Sequence, residues 1–347
     1  MIAINGRFLT QRLTGVQRVA LEIVRALDAL PGPDARLLVP PGAAAPPCLA
    51  RIRVETVGSG GGQIWEQRAL PAAARGDLLL SLGNTAPLLA GRRQAVVIHD
   101  AGAFDTPGSY SLAFRSWYRL LHRALAARGA RIITVSDFSR QRIAHHLRID
   151  PASIAVMPEG AEHIAREPAD ASVLARHGLS EQGYALVVGS RAAHKNLAML
   201  ADAAGWLRER GLVLAAVGAL DANVFRTDAG APGAVALGRV TDAELRALYE
   251  NARCLIFPSA YEGFGLPPLE AMACGCPVLA ARAASVPEVC GEAALWFAPD
   301  GPASLLAALA RLEDFGVSDS LRAAGLARAA AFTWRRAAET LLSSLPA

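Results

Sequence analysis

Short, unbroken runs of apolar residues alternate with helix-period segments from one end of this 347-residue chain to the other. Runs without polar alternate positions suit strands buried on both faces, and the amphipathic segments between them suit the helices that cover those faces. In the first half the strand-like runs are Ile2–Ile4, Leu37–Val39, Leu78–Ser81, Ala95–His99, Ile132–Ser136 and Ile154–Met157. Helical patterns fall between them at Val16–Leu30, Ile64–Ala74, Leu112–Ala127 and Phe138–Leu147. The second half repeats the plan, with strands at Ala185–Gly189, Val213–Val217, Ala234–Leu237, Cys254–Pro258 and Val278–Ala281. The chain therefore reads as α/β with two doubly wound parallel sheets, and ligands are expected where strand carboxyl ends meet a crevice. Length agrees, because single cores stop growing near ~250–300 residues. Pro158, Gly160, Pro168 and Gly178 interrupt the periodicity and place a linker between Pro158 and Ser180.

Composition excludes several classes. The most apolar stretch, Leu212 to Leu220, is nine residues long with a glycine inside it, so no membrane-spanning helix is expected. The chain starts directly into Met1-Ile-Ala-Ile, without the basic and apolar regions of a secretory leader. Five cysteines, odd in number and irregularly spaced, point to free thiols in a reducing compartment. The expectation is a cytoplasmic protein. Cys274-Gly-Cys276 lacks a second ligand pair, and the seven histidines form no ligand pattern; His163, with Glu159 and Glu167 to either side, stands without a second strong ligand motif. No metal site is expected.

Net charge is +4, unevenly spread: residues 1–170 carry 20 arginines against 14 acidic residues, whereas residues 171–347 are net −2. Of 35 basic residues only Lys195 is a lysine. A lysine that survives such a bias suggests a need for its compact point charge.

The densest cluster of chemistry is Ser259-Ala-Tyr-Glu-Gly-Phe-Gly-Leu-Pro-Pro-Leu-Glu-Ala-Met-Ala-Cys-Gly-Cys-Pro-Val. A buried strand ends, a glycine-rich turn follows, and Pro267 occupies a first helical turn, where proline is tolerated. The N–H groups of Phe264, Gly265 and Leu266 then open a helix N-terminus, an arrangement that binds anions, phosphate above all. Glu262 and Glu270 bracket that site. A carboxylate repels phosphate, so their work is to accept hydrogen bonds from hydroxyls such as those of a sugar or ribose.

Glu262 and Glu270 in this setting resemble the signature of retaining glycosyltransferases of family 4. Other segments carry the resemblance too: Gly189-Ser-Arg-Ala-Ala-His-Lys-Asn-Leu, Leu237-Gly-Arg-Val-Thr-Asp-Ala-Glu-Leu, Val286-Pro-Glu-Val-Cys-Gly and Phe332-Thr-Trp. It is close over residues 184–345 and looser over 1–160. It implies a GT-B architecture, two Rossmann-like domains facing across a cleft. An acceptor domain would span residues 1–168 with a helix at 333–347 crossing back, and a donor domain residues 171–332.

The resemblance also implies roles. Lys195 would reach the donor diphosphate, Glu270 the ribose and Glu262 the sugar. Val240 would meet the base through its backbone, and the Thr241-x-x-Glu244 capping box just after it is structural. His99 would face the donor sugar. Gly15 belongs to the loop that opens the first helix near the diphosphate, with one glycine where two are common. The family's usual basic residue after the glycine is Ser190 here, which leaves open whether Arg191 takes its place. Chemistry on Glu262 and His99 would need no metal, since no Asp-x-Asp pair is present. The donor is expected to be GDP-mannose, with a UDP-sugar as the rival, and the acceptor a glycan or polyprenyl-linked glycan of polysaccharide assembly. A catalytically silent scaffold that binds sugar nucleotide is the alternative from another class. Finally, Arg115, Arg119 and Arg123 share one face of an acid-free helix, a face suited either to solvent or to anionic lipid at the inner surface of the membrane. No nucleic-acid motif accompanies them.

Overall fold

The computed structural model describes residues 1–44, 49–189, 192–218 and 234–346. The chain divides into two compact units, residues 1–159 together with 334–347, and residues 160–333. Arg191 and Ser190 lie outside the described residues, as does Cys48.

The first unit is built on seven parallel strands: β1 (Ile2–Asn5), β2 (Ala35–Val39), β3 (Arg53–Thr56), β4 (Leu78–Ser81), β5 (Gln94–Val97), β6 (Arg131–Thr134) and β7 (Ala155–Val156). Their order in the sheet is β3-β2-β1-β4-β5-β6-β7. The second unit has six, also parallel: β8 (Tyr184–Val188), β9 (Val213–Val217), β10 (Ala234–Gly238), β11 (Cys254–Phe257), β12 (Val278–Ala281) and β13 (Ala294–Phe297). Their order is β10-β9-β8-β11-β12-β13. Both units are thus doubly wound α/β domains of the GT-B type. The order reverses beside β1 in one sheet and beside β8 in the other, and at such switch points the carboxyl ends open a crevice.

The central strands are buried on both faces, which is why they read as unbroken apolar runs: every residue of β1, β4, β11 and β12 is buried. Two strands lie outside the runs named above. Arg53-Val-Glu-Thr pairs on one side only and is largely exposed, so an edge strand of mixed polarity leaves little signal. Ala294-Leu-Trp-Phe, at the other sheet's edge, is an apolar run as long as β11 and β12 and as legible as they are.

The last helix, Trp334–Ser344, buries Trp334, Ala337, Ala338 and Leu341 in the first unit, where the Arg131 guanidinium donates to the Ser344 carbonyl at 3.1 Å. Residues 160–168, which the sequence reading kept with the first domain, pack with the second unit. Burial also explains the cysteines: Cys254, Cys274, Cys276 and Cys290 are free thiols. Burial pushes the thiols of Cys254, Cys274 and Cys290 up to about 12, which keeps them protonated and unreactive. No helix of the described residues is long and apolar enough to cross a membrane.

Gly6, directly after β1, has no room for a side chain: a Cβ there would sit 2.6 Å from the Leu38 carbonyl oxygen. Gly6→Ala must push two strands apart, so urea denaturation should show a loss of about 1–3 kcal/mol. An unchanged midpoint would mean that β1 and β2 do not approach this closely.

Candidate active site

In the second unit, β11 delivers the chain into a loop that is pinned on two sides. The Ala260 N–H donates to the His194 carbonyl at 2.8 Å, and the Ser259 hydroxyl lies 3.3 Å from the same oxygen. This ties the loop to the turn Ala193–Lys195 after β8. On the other side the fully buried Ser285 directs its hydroxyl at the carbonyls of Glu262 and Phe264, at 3.0 and 2.8 Å. With those carbonyls engaged, the peptide N–H groups of the loop are left to face elsewhere. Gly265 then takes φ 107° and ψ 54°, a left-handed conformation that favours glycine, and the Leu266–Ala273 helix begins.

The helix start is short of donors by construction. Pro267 and Pro268 carry no N–H, so the donors available are those of Phe264, Gly265 and Leu266, as the sequence pattern implied. None of the three donates to any group among the described residues. All three residues are buried. Clustered, partly desolvated amides at a helix N-terminus form an anion site, with the helix dipole adding to it.

Lys195 and Glu262 meet directly, with Nζ 2.6 Å from Oε1 and side chains only 19% and 13% exposed. The ammonium also lies 5.9 Å from the centre of the Phe257 ring. This pairing answers the difficulty of a carboxylate beside a phosphate site. An unpaired carboxylate about 4 Å from a phosphate charge would oppose it by about 4 kcal/mol at an effective dielectric near 20. Paired with Lys195, it presents no net charge to the anion. The lysine's solitary place in the sequence thus coincides with a built ion pair. Asn196, in the left-handed region, follows it and anchors the turn by donating to the Pro299 carbonyl.

Glu270 is buried within the same helix and held by two groups the sequence reading did not assign to it. His163 Nε2 lies 2.9 Å from Oε1, and the Tyr249 hydroxyl donates to Oε2 at 3.1 Å. Burial, then the Glu270 charge, push the Tyr249 phenol well above its ordinary range, so it remains a donor. Each Glu270 oxygen keeps a further lone pair with which to accept a hydroxyl. His163 was considered only as a metal ligand with Glu159 and Glu167. It is 107 residues from Glu270 in sequence, and nothing local signals that separation. Val240 lies between β10 and the Asp242–Asn251 helix, immediately before a complete capping box: Glu244 N–H donates to Thr241 Oγ1, and Thr241 N–H to the Glu244 carboxylate.

In the first unit, His99 follows β5 and is fully engaged. Its N–H donates to Asn84 Oδ1 at 2.7 Å and its carbonyl accepts from Ser139 Oγ at 2.9 Å. Its ring Nε2 is 3.0 Å from the Leu82 carbonyl and Nδ1 is 3.4 Å from Glu159 Oε1. A carbonyl and a carboxylate only accept, so these contacts favour the protonated ring. Burial alone would lower its pKa, but the hydrogen bond and charge of Glu159 more than offset this and raise it. Neither ring nitrogen is left over for a ligand in this arrangement. Gly15 is the exposed first residue of the Gly15–Ala29 helix, and a Cβ there would meet nothing within 4 Å. No steric reason inside the protein therefore requires a glycine at that position.

The arginine face of the Leu112–Ala127 helix is not the open stripe that its spacing suggested. Arg119 donates to the carbonyls of Ala103 and Phe104 at 2.8 and 3.3 Å, and the guanidinium groups of Arg119 and Arg123 lie over the Phe104 ring. Planar guanidinium stacks readily on an aromatic face, and Arg119 turns inward with it while Arg123 remains exposed. Beside Arg123 the helix also exposes apolar side chains, Leu112 and Leu120, at 68% and 61%.

Two doubly wound parallel-sheet units are the architecture of a class of transferases, and comparison with known proteins assigns the chain to a glycosyltransferase family. Residues 13–163 match the model described as Glycosyltransferase Family 4, and residues 182–314 the model described as Glycosyl transferases group 1; the chain belongs to this family. Among curated relatives it is 36% identical over 258 residues to the O-antigen chain mannosyltransferase B of Escherichia coli, covering 70% of this chain and 67% of that one. It is 28% identical over 244 residues to the O-antigen chain mannosyltransferase RfbU of Salmonella typhimurium, covering 68% and 65%. The matched stretch thus spans about two thirds of these relatives' length. Among solved structures, WaaG, a glycosyltransferase involved in lipopolysaccharide biosynthesis, aligns over 99% of both chains with a TM-score of 0.76 at 16% identity. Anabaena HepE in complex with UDP and glucose aligns over 99% and 98% with a TM-score of 0.75 at 18% identity.

The raised His99 pKa has a signed consequence. The stability it contributes is fully present below the ordinary value of 6.5 and is lost as pH rises through the folded-state value. Glu159→Gln removes the cause of the shift. The Tm gap between wild type and this variant should therefore be widest near about pH 6 and narrow toward about pH 9. A gap that widens with pH would show that the histidine is neutral when folded.

Proposed function

We propose that the protein is a retaining glycosyltransferase that moves mannose from GDP-mannose to a glycan or polyprenyl-linked glycan in O-antigen or related polysaccharide assembly. The observation that carries this reading is the Lys195–Glu262 pair beside the unpartnered amides of Phe264, Gly265 and Leu266, with Glu270 buried in the same helix. The mannosyltransferase names of the relatives support the choice of sugar.

On this reading the amides and Lys195 hold the diphosphate, Glu270 accepts hydrogen bonds from ribose hydroxyls, and Glu262 accepts them from the sugar. Val240 offers backbone groups to the base. As the bond between the anomeric carbon and the phosphate oxygen breaks, negative charge grows on the leaving diphosphate. Donors already fixed there stabilise that charge without reorganising. The acceptor hydroxyl attacks from the face the diphosphate leaves, and its proton passes to a phosphate oxygen, so no protein nucleophile and no metal enters the scheme. Gly15 lets a ligand approach the first helix closely. His99 acts through its fixed charge, and Arg191 as a second phosphate contact. A second reading, UDP-sugar as donor, is favoured by the UDP and glucose complex of a protein with the same fold.

A thermal-shift panel of GDP, UDP and their sugar conjugates separates these readings, because ligands that bind the folded state raise its apparent stability. A shift with GDP alone supports mannose transfer, and a shift with UDP alone replaces the donor. Silence from all nucleotides overturns the donor site. Lys195→Ala should weaken a nucleoside diphosphate by about ten- to a hundredfold and leave the nucleoside nearly unchanged; equal losses would contradict a phosphate role. Glu262→Gln should retain nucleotide binding and lose about a hundred- to a thousandfold in transfer rate. Nucleotide bound by wild type and never released from its sugar would instead mark a silent scaffold.

We also propose that the protein works at the cytoplasmic face of the membrane, touching anionic lipid through Arg115 and Arg123 together with the exposed Leu112 and Leu120, while Arg119 stays inward. Flotation with anionic vesicles should be lost in a Leu112→Ser, Leu120→Ser double variant; equal flotation would remove this face from the proposal.

A further inference from the structure

The first unit holds a cavity of about 300 Å³ at the carboxyl ends of β1, β4 and β5, at the switch point of its own sheet. It lies at the lower end of the size range of small-molecule sites. One wall is aromatic. Phe114 stacks on Tyr118 at 4.1 Å, four residues on along the helix, and Tyr110, just before the helix begins, extends the ladder by stacking on Phe114 with ring centres 5.0 Å apart. The opposite groups are polar and uncharged, apart from Asp100. Asp100 is held in place: its Oδ1 accepts from the Gly102 N–H at 2.6 Å. A Cβ on Gly102 would lie 2.8 Å from that oxygen and 2.9 Å from the Tyr110 hydroxyl. Gly102 thus brings the carboxylate and the end of the ladder together.

Beneath the cavity lies a second, of about 10 Å³, room for about one water or hydroxyl oxygen. The two share Gln11 and Gly83 in their linings. The small cavity is bordered by Glu66, whose side chain is 1% exposed. Its Oε1 accepts from Asn5, Arg7 and Thr85 at 2.7, 3.1 and 2.9 Å. Its Oε2 is buried and has no hydrogen-bond partner. A buried carboxylate oxygen left unpaired beside a cavity is a costly feature in a protein that gains nothing from it.

The charge balance narrows the ligand. No lysine or arginine lines the larger cavity. Arg7, beneath it, is already spent on Glu66. The N-terminus of the Gly15–Ala29 helix contributes Thr14, Val16 and Gln17 to the wall, but a helix end carries only roughly half an elementary charge and does not offset a carboxylate. An anionic group entering here meets a net negative wall. A sugar ring does not: its apolar C–H groups lie against the edges of the stacked rings, and its hydroxyls donate to Asp100 and reach toward Glu66 Oε2.

We propose that this cavity is the acceptor site and that it selects a neutral, unphosphorylated sugar unit, packed against the edges of Tyr110, Phe114 and Tyr118 and hydrogen-bonded to Asp100, with Glu66 Oε2 receiving a hydroxyl or a bridging water. The acceptor role rests on the transferase reading above; the chemistry of the pocket does not.

Saturation-transfer NMR on the full chain, with α-linked mannobiose and mannose 6-phosphate as probes, tests it, while the nucleotide thermal shift is measured in parallel. Mannobiose should bind through its ring protons and mannose 6-phosphate should not. Phe114→Ala should weaken mannobiose about tenfold. Phe114→Leu, which keeps apolar bulk without the ring face, should do the same if the alanine variant folds poorly. Asp100→Asn should admit mannose 6-phosphate. Mannose 6-phosphate binding wild type as well as mannobiose, or mannobiose binding untouched in both Phe114 variants, overturns the proposal. No sugar bound while nucleotide still shifts the melting curve also overturns it, and leaves the donor reading standing. Sugar bound with no nucleotide response overturns the acceptor role and the donor reading together.

Discussion

A parallel sheet covered by helices on both faces has no polar surface to spare except at its ends. Every central strand in both units is sealed above and below, so the groups that can meet a ligand gather where strands give way to loops. That constraint organises the rest. Lys195 follows β8, Glu262 follows β11, Asn84 and Asp100 follow β4 and β5, and each stands at a carboxyl edge. The apolar runs thus decide where chemistry is placed as well as what folds.

At those edges the buried charges are paired before any ligand arrives. Lys195 neutralises Glu262, Arg7 pairs with Glu66, and Glu159 favours the protonated form of His99. Breaking such a pair leaves an uncompensated buried charge, which is strongly destabilising, so these contacts hold loops as firmly as packing holds helices. The pairing also sets what each site tolerates. In the second unit a carboxylate cancelled by an ammonium leaves amides ready for an anion. In the first, Asp100 stands without a cation in the cavity lining, and the surface suits hydroxyls rather than phosphate. Two parallel sheets of similar plan therefore present opposite preferences, through the placement of a few charges.

The legible part of the fold was the buried part. β1, β4, β11 and β12 were visible because each is buried along its whole length and almost wholly apolar. Arg53–Thr56 was not, because an edge strand facing water needs no apolar run. The same logic divides the candidate site. Gly265, Pro267 and Glu262 lie within one turn of one another in sequence, so their arrangement could be read as a local motif. The partners of Glu270 and His99 could not: His163, Tyr249 and Glu159 come from distant segments, and a solitary histidine or glutamate carries no address. The arginine spacing on the Leu112–Ala127 helix was real, but its meaning changed once Phe104, on a different element, drew Arg119 and Arg123 over its ring.

By itself the sequence determined the class of fold, the presence of two such sheets and the loop whose motif carries the likeness to the glycosyltransferase family. Those features rest on periodicity, on proline and glycine, and on residues close together in the chain. Only the tertiary structure decided that Lys195 neutralises Glu262, that His163 and Tyr249 grip Glu270, that Glu159 stands beside the His99 ring, and that an aromatic ladder faces a lone carboxylate in the first unit. The reason is electrostatic: whether a buried charge attracts, repels or is silent depends on what stands within a few ångströms of it, and that is set by the packing of segments far apart in sequence.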